Sequence, residues 1–87
     1  MNEEFLLLAA DSTHLIMKTE KVLLENQLDV RVIPLPTELH SSCGLSVKCE
    51  LKDLEKIKSL LNENEIEVSF YKGHKIGFKK EFYPLTF

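Results

Sequence analysis

The chain has 87 residues and a net charge of −3, with 44% hydrophobic and 29% charged residues. A chain of this size folds as one small domain around a single two-layer core, which excludes a deep active site for several substrates. The composition is ordinary for a globular protein, which excludes a disordered chain and a disulfide-rich scaffold.

The first predicted element is a strand over residues 5–10, a continuous apolar run. This run is too short to cross a membrane, and Asn2, Glu3 and Glu4 stand where a signal peptide would carry positive charge. We therefore expect no membrane span and no export signal. Two cysteines in such a chain fit a cytoplasmic protein with free thiols, without an intramolecular disulfide.

The second element is a helix that follows the first strand directly. Residues 11–13, Asp-Ser-Thr, can cap a helix and satisfy its first free amide groups. The apolar residues after them recur at helical spacing, with Thr19 filling the gap in the stripe. The helix is therefore predicted to be amphipathic and to cover one face of a sheet. Its apolar members are Leu15, Ile16, Val22 and Leu23.

A second strand, a polar loop and a third strand follow. Val30, Val32 and Ile33 form a short β-branched strand that Pro34 and Pro36 bring to an end, because proline cannot donate a backbone hydrogen bond. Residues 37–42 form the loop. After it, apolar and polar residues alternate as in a half-buried strand, whose apolar face is Leu45, Val47, Cys49 and Leu51.

The last regular elements are a second helix and a fourth strand. Asp53 opens the helix, which turns Leu54, Ile57, Leu60 and Leu61 inward. Alternation resumes at Ile66, Val68 and Phe70, which predicts the fourth strand. The order is that of an α+β, ferredoxin-like βαββαβ fold, in which two helices pack on one face of a four-stranded antiparallel sheet.

The predicted fold divides the chain into a domain over residues 1–72 and a C-terminal extension over residues 73–87. The extension contains four aromatic residues and fits no period, so we expect it to pack on the sheet or on a second subunit, as in a homodimer. Residues 72–87 carry four lysines against one glutamate, while the rest of the chain sums to −6. This weak basic footprint argues against nucleic acid as a partner.

The candidate site is the loop that carries Ser41, Ser42, Cys43 and Gly44. Gly44 permits unusual backbone angles and close approach, and the serines add donors without bulk. Right-handed crossovers bring this loop beside residues 11–14 at the start of the first helix. The positive end of the helix dipole, with His14 as a charge partner or proton donor, would favour a Cys43 thiolate. The other interpretation is that Cys43 only closes a turn as a small apolar residue.

The remaining polar and sulfur-containing residues are given structural roles. Glu38 and His40 are expected to be solvated loop residues that shape the loop. Cys49 is expected to be a buried core residue, because it shares the apolar face of its strand. No paired-ligand spacing accompanies His14, His40 and Cys43, so no metal site is predicted, and nothing indicates a cofactor.

The most specific part of the sequence lies between the second and third strands. Residues 33–45 read Ile-Pro-Leu-Pro-Thr-Glu-Leu-His-Ser-Ser-Cys-Gly-Leu, and Asp11-Ser12-Thr13-His14 precede them. Together with the helix segment at residues 20–24, this pattern resembles the selenium/sulfur carrier protein-like family of small bacterial domains, over most of residues 5–72. Cys43 matches the cysteine of the family's Ser-Ser-Cys-Gly motif. Thr37 and His40 depart from it, since the family often has arginine and serine there.

The resemblance implies a carrier more than a catalyst. Cys43 would hold sulfur or selenium as a persulfide or selenosulfide, accept it from a cysteine desulfurase or a selenium-delivery enzyme, and pass it to an acceptor protein. Two alternatives remain open. One is a non-covalent module that binds a small ligand or another protein, since fold does not fix function. The other is a thiol redox sensor, in which Cys43 would be oxidised.

Overall fold

A computed structural model describes residues 2–86, with the side chain of Asn2 left out. It has two helices and one five-stranded antiparallel sheet, in the α+β class. The elements in chain order are β1 (Asn2–Ala9), α1 (Thr13–Glu25), β2 (Val30–Pro34), β3 (Leu45–Cys49), α2 (Leu54–Glu63), β4 (Ser69–Ile76) and β5 (Lys79–Leu85). A single 3₁₀ turn, Leu51–Asp53, leads into α2.

Helix α1 begins at the predicted cap. The Ser12 hydroxyl accepts a hydrogen bond from the Leu15 amide at 3.4 Å, which satisfies one of the free amide groups of the first turn. Thr19 is fully buried among the apolar residues, and its hydroxyl donates to the Leu15 carbonyl oxygen at 2.7 Å. This internal bond allows a polar residue to sit in the apolar stripe without an unsatisfied donor.

Both helices end in the same backbone motif. After α1, Gln27 has a φ of 63° and the Leu28 amide donates to the Leu23 carbonyl oxygen at 3.1 Å. After α2, Glu65 has a φ of 55° and the Ile66 amide donates to the Leu61 carbonyl oxygen at 2.9 Å. This is the Schellman arrangement, in which the residue after the left-handed position also packs its side chain on the helix.

The sheet corrects the predicted count of four strands. Its strand order is β2-β3-β1-β4-β5, so residues in the predicted extension form a fifth strand at the β4 edge. The predicted strand over Ile66, Val68 and Phe70 also shifts, since β4 begins at Ser69. The reason is that Ile66 belongs to the end of α2, where its amide is already bonded. The boundary drawn between residues 72 and 73 falls inside β4.

The core lies between the two helices and one face of the sheet. Fully or almost fully buried side chains from β1 and β3 meet those of the helices there, and Leu8, Val47, Ile16 and Ile57 are examples. The second face is also covered near its centre, where Leu7 has no exposed surface. The loop between β2 and β3 reaches this face, where its Pro36 lines the same small cavity as Phe5 of β1 and Phe82 of β5.

Candidate functional site

The candidate site is the loop over residues 35–44, between β2 and β3. Its two ends are joined by a hydrogen bond from the Leu35 amide to the Gly44 carbonyl oxygen at 3.0 Å. A turn inside it is closed by the Leu39 amide, which donates to the Pro36 carbonyl oxygen at 3.0 Å. Gly44 has a φ of +70°, a left-handed conformation that side chains disfavour, and this directs the chain from the loop into β3.

Three consecutive side chains of the loop bind the end of β1. The Ser41 hydroxyl and the Cys43 thiol both donate to the Ala10 carbonyl oxygen, the thiol at 3.0 Å. The Ser42 hydroxyl donates to the Asp11 carbonyl oxygen at 2.9 Å. These contacts bring the loop beside the residues that lead into α1, the placement expected from the predicted crossovers. The position of Cys43 is therefore determined by the hydrogen bonds of Ser41 and Ser42 as well as by the hydrogen bond of its own thiol.

Cys43 is a half-buried residue, and its sulfur lies among oxygen atoms. Besides the Ala10 carbonyl, it lies 3.6 Å from the Leu45 carbonyl oxygen and 3.8 Å from the Ser41 hydroxyl. The two carbonyl oxygens accept only, so the thiol is the donor to each of them. The sulfur is thus positioned by one backbone carbonyl directly after β1 and by another at the start of β3.

The other residues predicted for the site lie at the surface. His14 is exposed on the first turn of α1, and within residues 2–86 it makes no hydrogen bond to Cys43. Its role as a thiolate partner stays a prediction. His40 is exposed, and Glu38 is also exposed and accepts a hydrogen bond from the Thr37 hydroxyl at 2.8 Å. Among the described side chains, no three metal-binding residues come together.

Cys49, the second cysteine, has a different environment. It is 4% exposed and faces the helices from the end of β3. Burial raises the pKa of its thiol to about 12, with a further contribution from the nearby Asp53 carboxylate. Both cysteines are free. Of the two cysteine residues, Cys43 is partly exposed and Cys49 is buried.

No pattern in the sequence indicates the groups that hold the Cys43 sulfur. They are the main-chain carbonyls of Ala10 and Leu45, which carry no side-chain signature. Ser41 and Ser42 were singled out as loop-shaping residues, and their bonds to the end of β1 give that role a physical form. Pro36 lies beside Phe5 and Phe82 on the second sheet face. This position depends on the path of the whole loop, and no local sequence pattern predicts that path.

Comparison with known families gives one match. The family model described as "Putative Se/S carrier protein-like" matches residues 5–72, which include most of β1, both helices and the whole candidate loop. No curated protein and no solved structure matched the chain. Neither helix, over the part of the chain that the structure describes, is long and apolar enough to span a bilayer.

Proposed function

The chain belongs to the putative Se/S carrier protein-like family, and from this premise we propose that Cys43 is the thiol that carries the cargo. The cargo would be one sulfur or selenium atom, held as a persulfide or selenosulfide and handed to an acceptor protein. The observation that carries the proposal is the contrast in burial: Cys43 is reachable and held in place, whereas Cys49 is sealed in the core.

The loading step uses only a thiol and a donor persulfide. The Cys43 thiol first gives up its proton to solvent water, which ends its hydrogen bonds to the two carbonyls. The thiolate then attacks the outer sulfur of the donor's persulfide. A new bond forms between Cys43 and that sulfur, the donor's own sulfur–sulfur bond breaks, and the donor leaves as a thiolate. Delivery to an acceptor thiolate is the same exchange in reverse, so no redox cofactor is required.

The surroundings of Cys43 suggest roles for its neighbours. The start of α1 lies directly after Ala10 and Asp11, so its first-turn amides are close enough for their dipole to favour negative charge on the cargo. His14, on that turn, would supply a further positive charge or a proton. Ser42 and Gly44 would hold the loop open around the sulfur. A cysteine desulfurase or a selenium-delivery enzyme is the proposed donor.

The test is a loading assay on the full chain. The protein would be incubated with inorganic polysulfide, which supplies sulfane sulfur, and examined by intact-mass and peptide mass spectrometry. We expect the wild type and Cys49→Ala to gain one sulfur atom on the Cys43 peptide, and Cys43→Ser to gain none while its circular dichroism stays native. Equal loading of Cys43→Ser and the wild type would refute the proposal.

A non-covalent module is the alternative function, and one observation favours it. A cavity of about 90 Å³ opens on the second sheet face, where Lys48, Lys75 and Lys80 surround the rings of Phe5 and Phe82. Glu3 also lines this cavity and pairs with Lys48 at 3.2 Å, so the ammonium groups of Lys75 and Lys80, beside the two aromatic rings, are those that suit a small anion with an apolar body. Under this alternative, Cys43→Ser would leave the protein's function unchanged.

We also infer that the fold is ferredoxin-like in its first four strands. The support is the order β2-β3-β1-β4 together with a helix between β1 and β2 and another between β3 and β4. In this description β5 is an addition on the β4 edge.

A further inference from the structure

The hairpin formed by β4 and β5 carries an exposed apolar tip. Gly77 and Phe78 form its two-residue turn, and the Phe78 side chain is fully exposed, at 107% of its reference surface. Ile76 beside it is 43% exposed. Lysines flank the tip at positions 75, 79 and 80, and no acidic residue lies between positions 75 and 80. The hairpin tip (residues 75–80) therefore has an exposed apolar centre, Ile76 and Phe78, surrounded by lysines.

The other end of the same hairpin borders a groove with an apolar floor and a polar rim, in which Lys58 pairs with Glu55 at 3.9 Å and Glu67 adds a further negative charge. The groove lies between α2 and the start of β4, has a volume of about 730 Å³ and is floored in part by Leu61 and Ile66. An adjoining cavity of about 530 Å³ shares these two residues and Glu67, and adds Glu65 to its rim. Both glutamates are exposed. The α2 groove therefore offers an apolar floor to the ring at the hairpin tip, and Glu65 and Glu67 on its rim are opposite in charge to the lysines of the tip.

From this complementarity we propose that the chain forms a two-fold dimer in which the hairpin tip of each copy enters the α2 groove of the other. A second copy is the partner that the charges favour, because residues 72–87 sum to +3 and the rest of the chain to −6. Phe78 is the anchor of the contact, since burying an exposed aromatic ring removes a large apolar surface from water.

The hairpin tip and the α2 groove lie at opposite ends of β4, so the assembly stops at two copies. The tip follows Ile76 at one end of β4, and the groove lies at Ser69, the other end. Two hairpins that lie antiparallel across a two-fold axis near Gly73 bring each tip to the partner's groove at the same time. Both contacts are then satisfied in a dimer, and no free tip remains to extend the assembly into a filament.

The middle of the hairpin does not oppose this arrangement. Lys72 and Glu4 form an ion pair at 2.7 Å, and the hydrogen bond and charge of Lys72 lower the pKa of the Glu4 carboxyl. The Tyr83 hydroxyl is bonded to Glu81, which raises the pKa of the phenol. The Lys72–Glu4 pair is thus already balanced within one copy, and the Glu81 carboxylate, which lies opposite His74, already has the Tyr83 hydroxyl as a hydrogen-bond partner.

The experiment is a charge exchange between two variants of the full chain. Lys79→Glu with Lys80→Glu reverses the tip, and Glu65→Lys with Glu67→Lys reverses the groove rim. In sedimentation equilibrium we expect the wild type to dimerise and each double variant alone to dimerise at least tenfold more weakly. An equimolar mixture of the two should form heterodimers about as tightly as the wild type, because both of its tip–groove contacts again join opposite charges. Phe78→Ala should weaken the wild-type dimer at least tenfold.

The result that overturns the inference is equally definite. A wild-type chain that stays monomeric up to roughly millimolar concentration, or a mixture that does not recover dimerisation, excludes this contact. Binding of a monomeric wild type to anionic lipid vesicles through Phe78 would assign the tip to a membrane surface and also overturn it. None of these outcomes depends on sulfur loading at Cys43, which is read separately by mass spectrometry.

Discussion

The two cysteines are the same residue type and lie close together in the sequence, but their environments differ enough to give their thiols different reactivities. Cys43 lies in the loop before β3 and Cys49 closes β3, six residues later. The first is half-buried and donates to the Ala10 carbonyl at 3.0 Å, whereas the second is 4% exposed among core side chains. The lesson is that access to the sulfur, set by the path of the chain, decides which thiol can exchange a bond with another molecule.

The sharpest way to test this contrast is alkylation of the folded protein. At about pH 9, a thiol with a pKa of about 12 is ionised in roughly one molecule in a thousand, and burial also blocks the reagent from Cys49. We expect iodoacetamide to modify Cys43 at least about a hundredfold faster than Cys49, measured by peptide mass spectrometry. In denaturant the two rates should become similar. A Cys43 that reacts no faster than Cys49 in the native state would contradict the comparison.

Serine substitutions test the same contrast through stability. Cys49→Ser places a hydroxyl in the core, where the present sulfur has only a long contact of 3.9 Å to the Val47 carbonyl oxygen. We expect a loss of about 1–3 kcal/mol in the free energy of unfolding, measured by urea denaturation. Cys43→Ser keeps a donor for the Ala10 carbonyl and should lose less than about 1 kcal/mol. A greater loss at position 43 would show that the loop, and not the core, depends on its sulfur.

A small effect on the free energy of unfolding is also expected at two glycines with matched geometry. Gly44 has a φ of +70° and Gly77 a φ of +58°, and an added Cβ would meet open space at both. Alanine at either position should therefore cost about 1 kcal/mol through backbone strain alone. Only Gly44→Ala should also change the alkylation rate of Cys43, because Gly77 lies at the hairpin tip. Equal alkylation rates of Cys43 in the two variants would show that the reactivity of the thiol does not depend on the backbone conformation at Gly44.

The sequence predicted those elements whose pattern is local. Ser12 and the apolar stripe behind it marked α1, and the alternation from Leu45 to Cys49 marked β3 and the burial of Cys49. It failed for β5 because an edge strand with few buried residues lacks alternation, and Pro84 within it reads as a turn or a break. It also took Ile66 as a strand residue, because an apolar residue that caps a helix looks the same in sequence.

For the candidate site, the sequence by itself determined which thiol to consider, since Cys43 alone stands in a polar loop beside a glycine, and the match over residues 5–72 determined the family. Only the tertiary structure decided what holds that thiol. Its partners are the main-chain carbonyls of Ala10 and Leu45. Every residue has a main-chain carbonyl, so the sequence does not indicate which of them contacts the thiol. That choice depends on which strands lie side by side, and the packing of the whole sheet sets their placement.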